Sequence, residues 1–241
     1  VTASVTVTDE AGNSVEKSDT ETYQVDVDAP TASIDLDPIV VGNDNTINEA
    51  ESTGKVTLSG TVGGDVKVGD TVTLALGENL LTTAKVVDLG NDQLGFSVDV
   101  DASELVSFDG QSVTASVTVT DEAGNSVEKS DTETYLVDVD APTASIDLDP
   151  IVVGNDNTIN EAESTGKVTL SGTVGGDVTE DDKVQLKLGN NLLVEADVID
   201  LGNGQLGFSV DVDASELVGF DGKSVTASVT VTDEAGNSVE K

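Results

Sequence analysis

The chain has 241 residues, with 47 Asp and Glu against 10 Lys and Arg, a formal net charge of −37. All ten cations are Lys, and Cys, His, Met and Trp are absent. These absences exclude an imidazole base, a thiolate nucleophile, a Cys/His zinc site and a disulfide. A polyanion without a basic stripe is not expected to bind nucleic acid. No apolar run approaches the roughly 20 residues that span a bilayer, so membrane insertion is not expected. The chain starts at Val1 without Met and no signal peptide opens it, which reads as a piece excised from something longer.

Charge this high with few aromatics leans toward disorder; repetition and strand-like alternation oppose that reading. Val1–Lys17 returns letter for letter at Val113–Lys129 and at Val225–Lys241, a spacing of 112 residues. A period of that length is a whole small domain rather than a solenoid or propeller repeat. The Asp-Ala-Pro linkers at Asp28-Ala29-Pro30 and Asp140-Ala141-Pro142 give the natural cuts. Residues 1–28 then read as the C-terminal strands of a preceding module. Residues 29–140 form a complete module, and 141–241 a module lacking its last strand. Neighbouring modules of the same chain are the expected partners, with weak chain–chain contacts at the incomplete ends.

Within 29–140, β-branched runs alternate with Gly, Asn and Asp turns. Strands are expected near Thr31–Asp35, Gly54–Thr61, Thr71–Leu76, Thr82–Asp88, Gly95–Val100, Ser112–Thr120 and Ser130–Asp138. About seven short strands at this spacing predict an all-β fold, tandem immunoglobulin-like β-sandwich modules in an extended rod. The aligned copies 29–129 and 141–241 differ at 14 positions, most of them between Lys67 and Asp92. Thr71, Thr73 and Ala75 become Lys183, Gln185 and Lys187, while Val72, Leu74 and Leu76 stay apolar. Change at every second residue marks the solvent face of a strand. Asp101-Ala102-Ser103-Glu104 has capping-box spacing before a short helix. Gly90–Leu94 reads as a hairpin turn in preference to half of a Ca²⁺-binding nonapeptide. The carboxylate pair Asp99/Asp101 has neither a cleft nor an aromatic sugar platform in the sequence around it, so the chain is not read as an enzyme.

The acids collect in loops and linkers. Residues 29–140 hold 21 acids and 4 Lys. Alternate loops of a sandwich share a pole. The loops Gly42–Thr53 and Asp101–Gln111 and the linker Asp138–Asp140 are therefore expected to face the loops Gly175–Lys183 and Thr232–Ser238 of the next module. Crowded carboxylates repel, and Ca²⁺ takes six to eight hard oxygens of the kinds abundant here. Three segments supply candidate metal ligands. The linker pairs Asp26/Asp28 and Asp138/Asp140 have D-x-D spacing that places both carboxylates on one side of an extended chain; they are either ligands or a solvated linker. The hairpin residues Asp9/Asn13, Asp121/Asn125 and Asp233/Asn237 are either ligands or turn formers. In the loop Asn43–Glu51, Asp44, Asn48 and Glu51 are read as wrapping one cation, with the copy Asp156, Asn160 and Glu163.

The segments DAPTASIDLD, DNTINEAES…GKVTLSGTV and VTASVTVTDEAGNS, in that order, resemble the tandem Ig-like modules of giant bacterial adhesins. That family comprises biofilm-associated and RTX adhesins exported by type I secretion, a marine ice-binding adhesin among them. The resemblance covers the whole chain. It implies several Ca²⁺ ions at module junctions and in loops, held by the residues named above, in an extracellular stalk at the surface of a Gram-negative bacterium. The implied role is a Ca²⁺-rigidified extender that projects a distal binding domain. The alternative is a cell-adhesion module that binds itself or a glycan through the variable faces near Lys67–Asp92.

Overall fold

The computed structural model describes residues 1–241. The chain opens with an antiparallel hairpin, β1 (Thr2–Thr8) and β2 (Ser14–Thr20), in register from Thr2↔Thr20 to Thr8↔Ser14 and exposed along both strands. The first copy of the repeat follows with β3 (Ala32–Leu36), β4 (Thr46–Ile47), β5 (Lys55–Gly64), β6 (Thr71–Leu76), β7 (Asn79–Lys85), β8 (Val87–Gly90), β9 (Gln93–Asp101), α1 (Ala102–Val106), β10 (Ser112–Thr120), β11 (Ser126–Thr134) and β12 (Leu136–Val137). The second copy gives β13 (Ala144–Leu148), β14 (Lys167–Gly176), β15 (Lys183–Leu188), β16 (Asn191–Asp197), β17 (Ile199–Gly202), β18 (Gln205–Asp213), α2 (Ala214–Gly219), β19 (Thr226–Thr232) and β20 (Ser238–Glu240). Neither helix is long and apolar enough to cross a membrane.

Each copy builds two four-stranded sheets, β3-β5-β9-β8 and β11-β10-β6-β7 in the first, β13-β14-β18-β17 and β16-β15-β19-β20 in the second. The alternation that marks the strands also makes the core. In β14, Val168, Leu170 and Val174 are buried while Lys167 and Thr169 face solvent. They join Val184 and Leu186 of β15, Phe208 and Val212 of β18, and Val229 and Val231 of β19 in one cluster fed by both sheets. This is the all-β, Ig-like sandwich that the strand pattern foretells.

The chain divides into two compact units. One comprises Val1–Asp37, Leu58–Val98 and Val113–Glu133; the other Pro38–Thr57, Asp99–Ser112 and Thr134–Lys241. Leu36, Leu58, Val72, Leu74 and Phe96 are buried in the first unit. The second unit holds all of the second copy, together with one loop, the short helix and the linker of the first.

Two expected strands turn out to be pairs. The stretch Thr82–Asp88 is cut at Val86. β7 pairs with β6, whereas β8 pairs with β9 in the other sheet. Val86 is 1% exposed at this crossing, its N–H donating to the Asp70 carbonyl at 2.9 Å. The stretch Ser130–Asp138 is cut at Tyr135. β11 starts earlier, at Ser126, and ends at Thr134; β12 then pairs in parallel with β4, a strand the sequence pattern does not announce. Tyr135 is 1% exposed, with its N–H on the Gln111 carbonyl at 3.0 Å and its hydroxyl on the Leu105 carbonyl at 2.8 Å. Burial pushes the phenol up to about 12. In both stretches β-branched residues continue through the switch, so alternation alone does not locate it.

The capping box is corrected by the structure. Helix α1 forms where expected, yet Asp101 makes no side-chain cap; its carboxylate pairs with Lys55 at 2.7 Å. The second copy shows why, because Lys167 and Asp213 are directly opposed in the β14–β18 register and pair at 2.8 Å. A cross-strand cation outcompetes the helix N–H groups. The turn Asn91-Asp92, with φ of 53° and 61°, closes the β8–β9 hairpin as read, and Asn203-Gly204 does the same in the copy at 57° and 77°.

The Tyr135 anchor gives a direct test. Tyr135→Phe should cost about 1 kcal/mol through the unmet Leu105 carbonyl. Tyr135→Ala should cost about 3–5 kcal/mol through the cavity left behind. Thermal melts of the two variants, compared with the parent chain, check the order and the gap.

Candidate metal centre at the linker and loop carboxylates

The three Asp-Glu-Ala-Gly-Asn loops fold alike because the sequence closes them internally. Asp9, Asp121 and Asp233 each accept the N–H of the Asn four residues on, all at 2.8 Å. The amide Nδ2 of that Asn donates to the second carboxylate oxygen at 2.9, 2.9 and 3.0 Å. Gly12, Gly124 and Gly236 take φ near 90° at the bend, a conformation open to glycine. All three loops thus close as turns on their own side chains.

Their surroundings differ. The side-chain bonds of Asn13 stay within its own loop, and the residue is exposed. Asn125 Nδ2 also lies 3.4 Å from the Asp26 carbonyl and 3.3 Å from that of Asp28. Asn237 is 4% exposed and fully engaged. Its Nδ2 donates to the Asp138 carbonyl at 3.0 Å, and its Oδ1 accepts the Glu49 N–H at 2.7 Å. In the same loop, two residues before Asn237, the Ala235 carbonyl accepts from Nδ2 of Asn48 at 3.0 Å. Within the second unit, therefore, the linker, the Asn48–Glu51 loop and the Asp233–Asn237 hairpin meet around a single amide.

The Asn48–Glu51 segment is itself preformed. Glu51 N–H donates to Asn48 Oδ1 at 3.0 Å, and Asn48 N–H donates to Glu51 Oε2 at 3.2 Å. The Glu51 carboxylate lies over Gly42, at φ 61°, where a Cβ would overlap Oε1. Asn160, Glu163 and Gly154 repeat the arrangement. Asp44 and Asp156 stand on a separate turn, each accepting a backbone N–H at 2.7 Å, from Thr46 and Thr158. The linker continues β12, with Asp138 N–H on the Ile47 carbonyl at 3.0 Å. Asp140 N–H reaches Asp138 Oδ1 at 3.2 Å, as Asp28 N–H reaches Asp26 Oδ1. The sequence reading missed the Glu49 N–H and the Ala235 carbonyl; both are backbone groups, which leave no trace in residue identity.

The charges at this meeting point are all negative. Glu49, Glu51, Asp138, Asp140, Asp233 and Glu234 lie in the three segments. The paired lysines of the same unit are committed elsewhere: Lys55–Asp101, Lys167–Asp213, Lys183–Asp197 and Lys187–Glu240. No three acidic side chains stand close enough together to hold one metal ion. The remaining donors are carboxylate, amide and backbone oxygens, a set that suits a hard divalent cation and offers nothing to a soft one. Asp9 and Asp121 are held below the ordinary Asp value of 3.8, first by the side-chain amide of Asn13 and Asn125 and further by backbone N–H groups.

No family model and no curated protein matches the chain. Solved structures do. The whole chain is 35% identical to a Ca²⁺-stabilized adhesin that helps an Antarctic bacterium reach out and bind ice, with a TM-score of 0.74 over 54% of that chain. It is 35% identical, over 99% of its length, to a structure concerned with host cell surface retention of a 1.5-MDa bacterial ice-binding adhesin, with a TM-score of 0.65 over 70% of that chain. An immunoglobulin-like domain of the M. primoryensis ice-binding adhesin is 36% identical over 46% of this chain and 98% of that one, with a TM-score of 0.36. The chain belongs to the Ig-like repeats of large bacterial ice-binding adhesins. It spans about half the length of the first of these relatives.

In this adhesin repeat, the value of the hairpin Asn should follow its surroundings. Asn237→Ala should destabilise the second unit by about 2–3 kcal/mol, because Glu49 N–H and the Asp138 carbonyl lose a buried partner. Asn13→Ala should cost less than about 1 kcal/mol. Unfolding curves give the comparison, and loss of hydrogen-exchange protection at the Glu49 amide in Asn237→Ala localises it. The lowered Asp9 and Asp121 values carry a sign: their contribution is present above the ordinary value and lost as pH falls through the lower folded one. Carboxyl NMR titration should therefore place both below 3.8, and Asn13→Ala and Asn125→Ala should move them back up.

Proposed function

We propose that the chain is a Ca²⁺-rigidified length of stalk in a large adhesin at the surface of a Gram-negative bacterium, projecting a distal binding domain and catalysing nothing. Its modules are 29–140 and 141–241, with 1–28 the end of a preceding one. The observation that carries this reading is the Asn237 junction: a neutral amide joins segments that together carry six acidic residues, none of them in an ion pair with a lysine. A divalent cation would supply the missing positive charge. Asp138, Asp140, Glu51 and Asp233 would hold it beside Asn48 and Asn237, with Asp26, Asp28, Asp121 and Asn125 as the equivalent set. Asp9 and Asn13, Asn160 and Glu163 present halves of the same site. Asp44 and Asp156 would serve a loop position of their own. The relative stabilised by Ca²⁺ supports the choice of ion.

Binding to the folded form alone would stabilise it by mass action, about 2.7 kcal/mol at a hundredfold excess over the dissociation constant. Extracellular Ca²⁺ modules bind at about 10⁻⁴–10⁻³ M, so millimolar ion is the right range. Melts with Ca²⁺, with chelator and with NaCl at matched ionic strength should separate, Ca²⁺ giving the highest midpoint. Solution scattering on the same samples should show the longest particle with Ca²⁺. In Asp138→Asn/Asp140→Asn the Ca²⁺-dependent rise should shrink while the chelated midpoint stays or climbs, since a repulsion has been removed. Equal stabilisation by NaCl would reduce the acids to bulk solvation and sink the proposal.

A further inference from the structure

Asn203 is the one Asn of the chain that precedes a Gly; the others precede Ser, Thr, Asp, Glu, Leu or Asn. Asn203 and Gly204 form the two-residue turn between β17 and β18, flanked by the Gly202↔Gln205 pair. Both residues are exposed, and the Gly204 N–H has no backbone partner. The side-chain bond nearest the turn runs from Gly202 N–H to Asp200 Oδ1 at 2.6 Å and leaves the Asn203 amide free. Beyond its two chain neighbours, no atom lies within 4 Å of where a Gly204 Cβ would stand.

The first copy holds the same turn with one residue changed. Asn91-Asp92 closes β8–β9 beside the Gly90↔Gln93 pair, and Asp92 stands where the second copy has Gly204. The three Asn-Ser pairs are held in another way. Asn13, Asn125 and Asn237 each donate Nδ2 to the carboxylate of Asp9, Asp121 or Asp233. Asn203 alone thus combines an unengaged side-chain amide with a following residue that has no Cβ.

We infer that Asn203 is a site of spontaneous deamidation, which turns the second copy's neutral β17–β18 turn acidic as the chain ages. The Gly204 amide nitrogen loses its proton to base and attacks Asn203 Cγ. A carbon–nitrogen bond forms, the Cγ–Nδ2 bond breaks, and Nδ2 leaves as ammonia with a proton taken from solvent. The product is a five-membered imide. Water then adds to either imide carbonyl and opens the ring, giving Asp or its β-linked isomer. One water is consumed and one ammonia released, and nothing is oxidised or reduced. The attack needs the Asn203–Gly204 peptide to swing toward the side chain, a rotation that Gly allows because it lacks a Cβ. The turn hangs on β17, an edge strand paired on one side only, whose register slips between Asp200 and Gly202. Few ladder bonds therefore resist its local opening. At Asn91 the Asp92 Cβ obstructs the same approach, and the Asp92 carboxylate disfavours loss of the amide proton. Deamidation to Asp gives the second turn the single negative charge that Asp92 already gives the first. The isomer instead lengthens the backbone of a two-residue turn by one carbon.

The test ages the full chain in mildly alkaline buffer made with heavy-oxygen water, cleaves it after Lys and sequences the peptides by mass spectrometry. The peptide Leu188–Lys223 carries Asn203 together with Asn190 and Asn191, which fragment ions separate. Asn203 should lose its amide first, faster at higher pH, and take up one heavy oxygen. Gly204→Asp should slow that loss to the level of Asn91, and Asp92→Gly should open a second site at Asn91. Each swap installs the residue that the same turn holds in the other copy, so both variants should melt with the parent. An Asn203 that keeps its amide as long as Asn91, a Gly204→Asp variant as fast as the parent, or an Asp92→Gly variant with no new site would each overturn the inference. Amide loss at Asn125 and Asn237 in step with Asn203 would place the reaction in the unfolded chain and overturn it as well. These readouts do not depend on Ca²⁺, so the stalk reading stands or falls separately.

Discussion

A neutral amide, Asn237, joins segments that together carry six acidic residues. Asn237 satisfies the Glu49 N–H and the Asp138 carbonyl at once, and it does so from a loop already locked by Asp233. An Asp at this position would add a further negative charge and lose the donor for the Asp138 carbonyl. A Lys would neutralise the site but could not accept from Glu49, because an ammonium has donors only. Asn offers a donor group and an acceptor on two separate atoms while adding no charge. The geometry is thus set by hydrogen bonds, and no lysine ion pair falls on the acids of these segments.

The repeated sequence acts as its own control. The same Asp-Glu-Ala-Gly-Asn loop occurs in three environments, and its internal hydrogen bonds agree within about a tenth of an ångström in all three. What changes is the burial of the Asn, from exposed at Asn13 to 4% at Asn237. Loop conformation is therefore a local property of these five residues, whereas the outside partners of Asn125 and Asn237 come from segments more than 90 residues away in the chain.

Much of the fold was legible because alternation is a direct consequence of a strand with one buried face. Val72, Leu74 and Leu76 against the variable Thr71, Thr73 and Ala75 give that face outright, and the burial of β6 and β15 follows it. The sheet switches at Val86 and Tyr135 were not legible, since a strand that changes sheets keeps its β-branched composition. The helix cap failed for a different reason. Capping boxes are local, but Asp101 is claimed by Lys55, which lies on a neighbouring strand far away in sequence. In the candidate site, the Asp and Asn side chains were legible from their spacing. The backbone donors and acceptors that join them, at Glu49 and Ala235, were not.

The absence of Cys from the sequence fits this division of labour. A disulfide fixes two points permanently and is indifferent to its surroundings, whereas carboxylates around a polar hub respond to the ions outside. Surface-exposed repulsion among such groups is screened over about 8–10 Å at physiological salt, so distant acids along the chain contribute little to any one junction. The six acids of the three segments met at Asn237 lie on backbone joined by bonds of 2.7–3.0 Å. Local crowding, and not the overall charge of −37, is the property that would make a junction of this kind depend on a divalent cation.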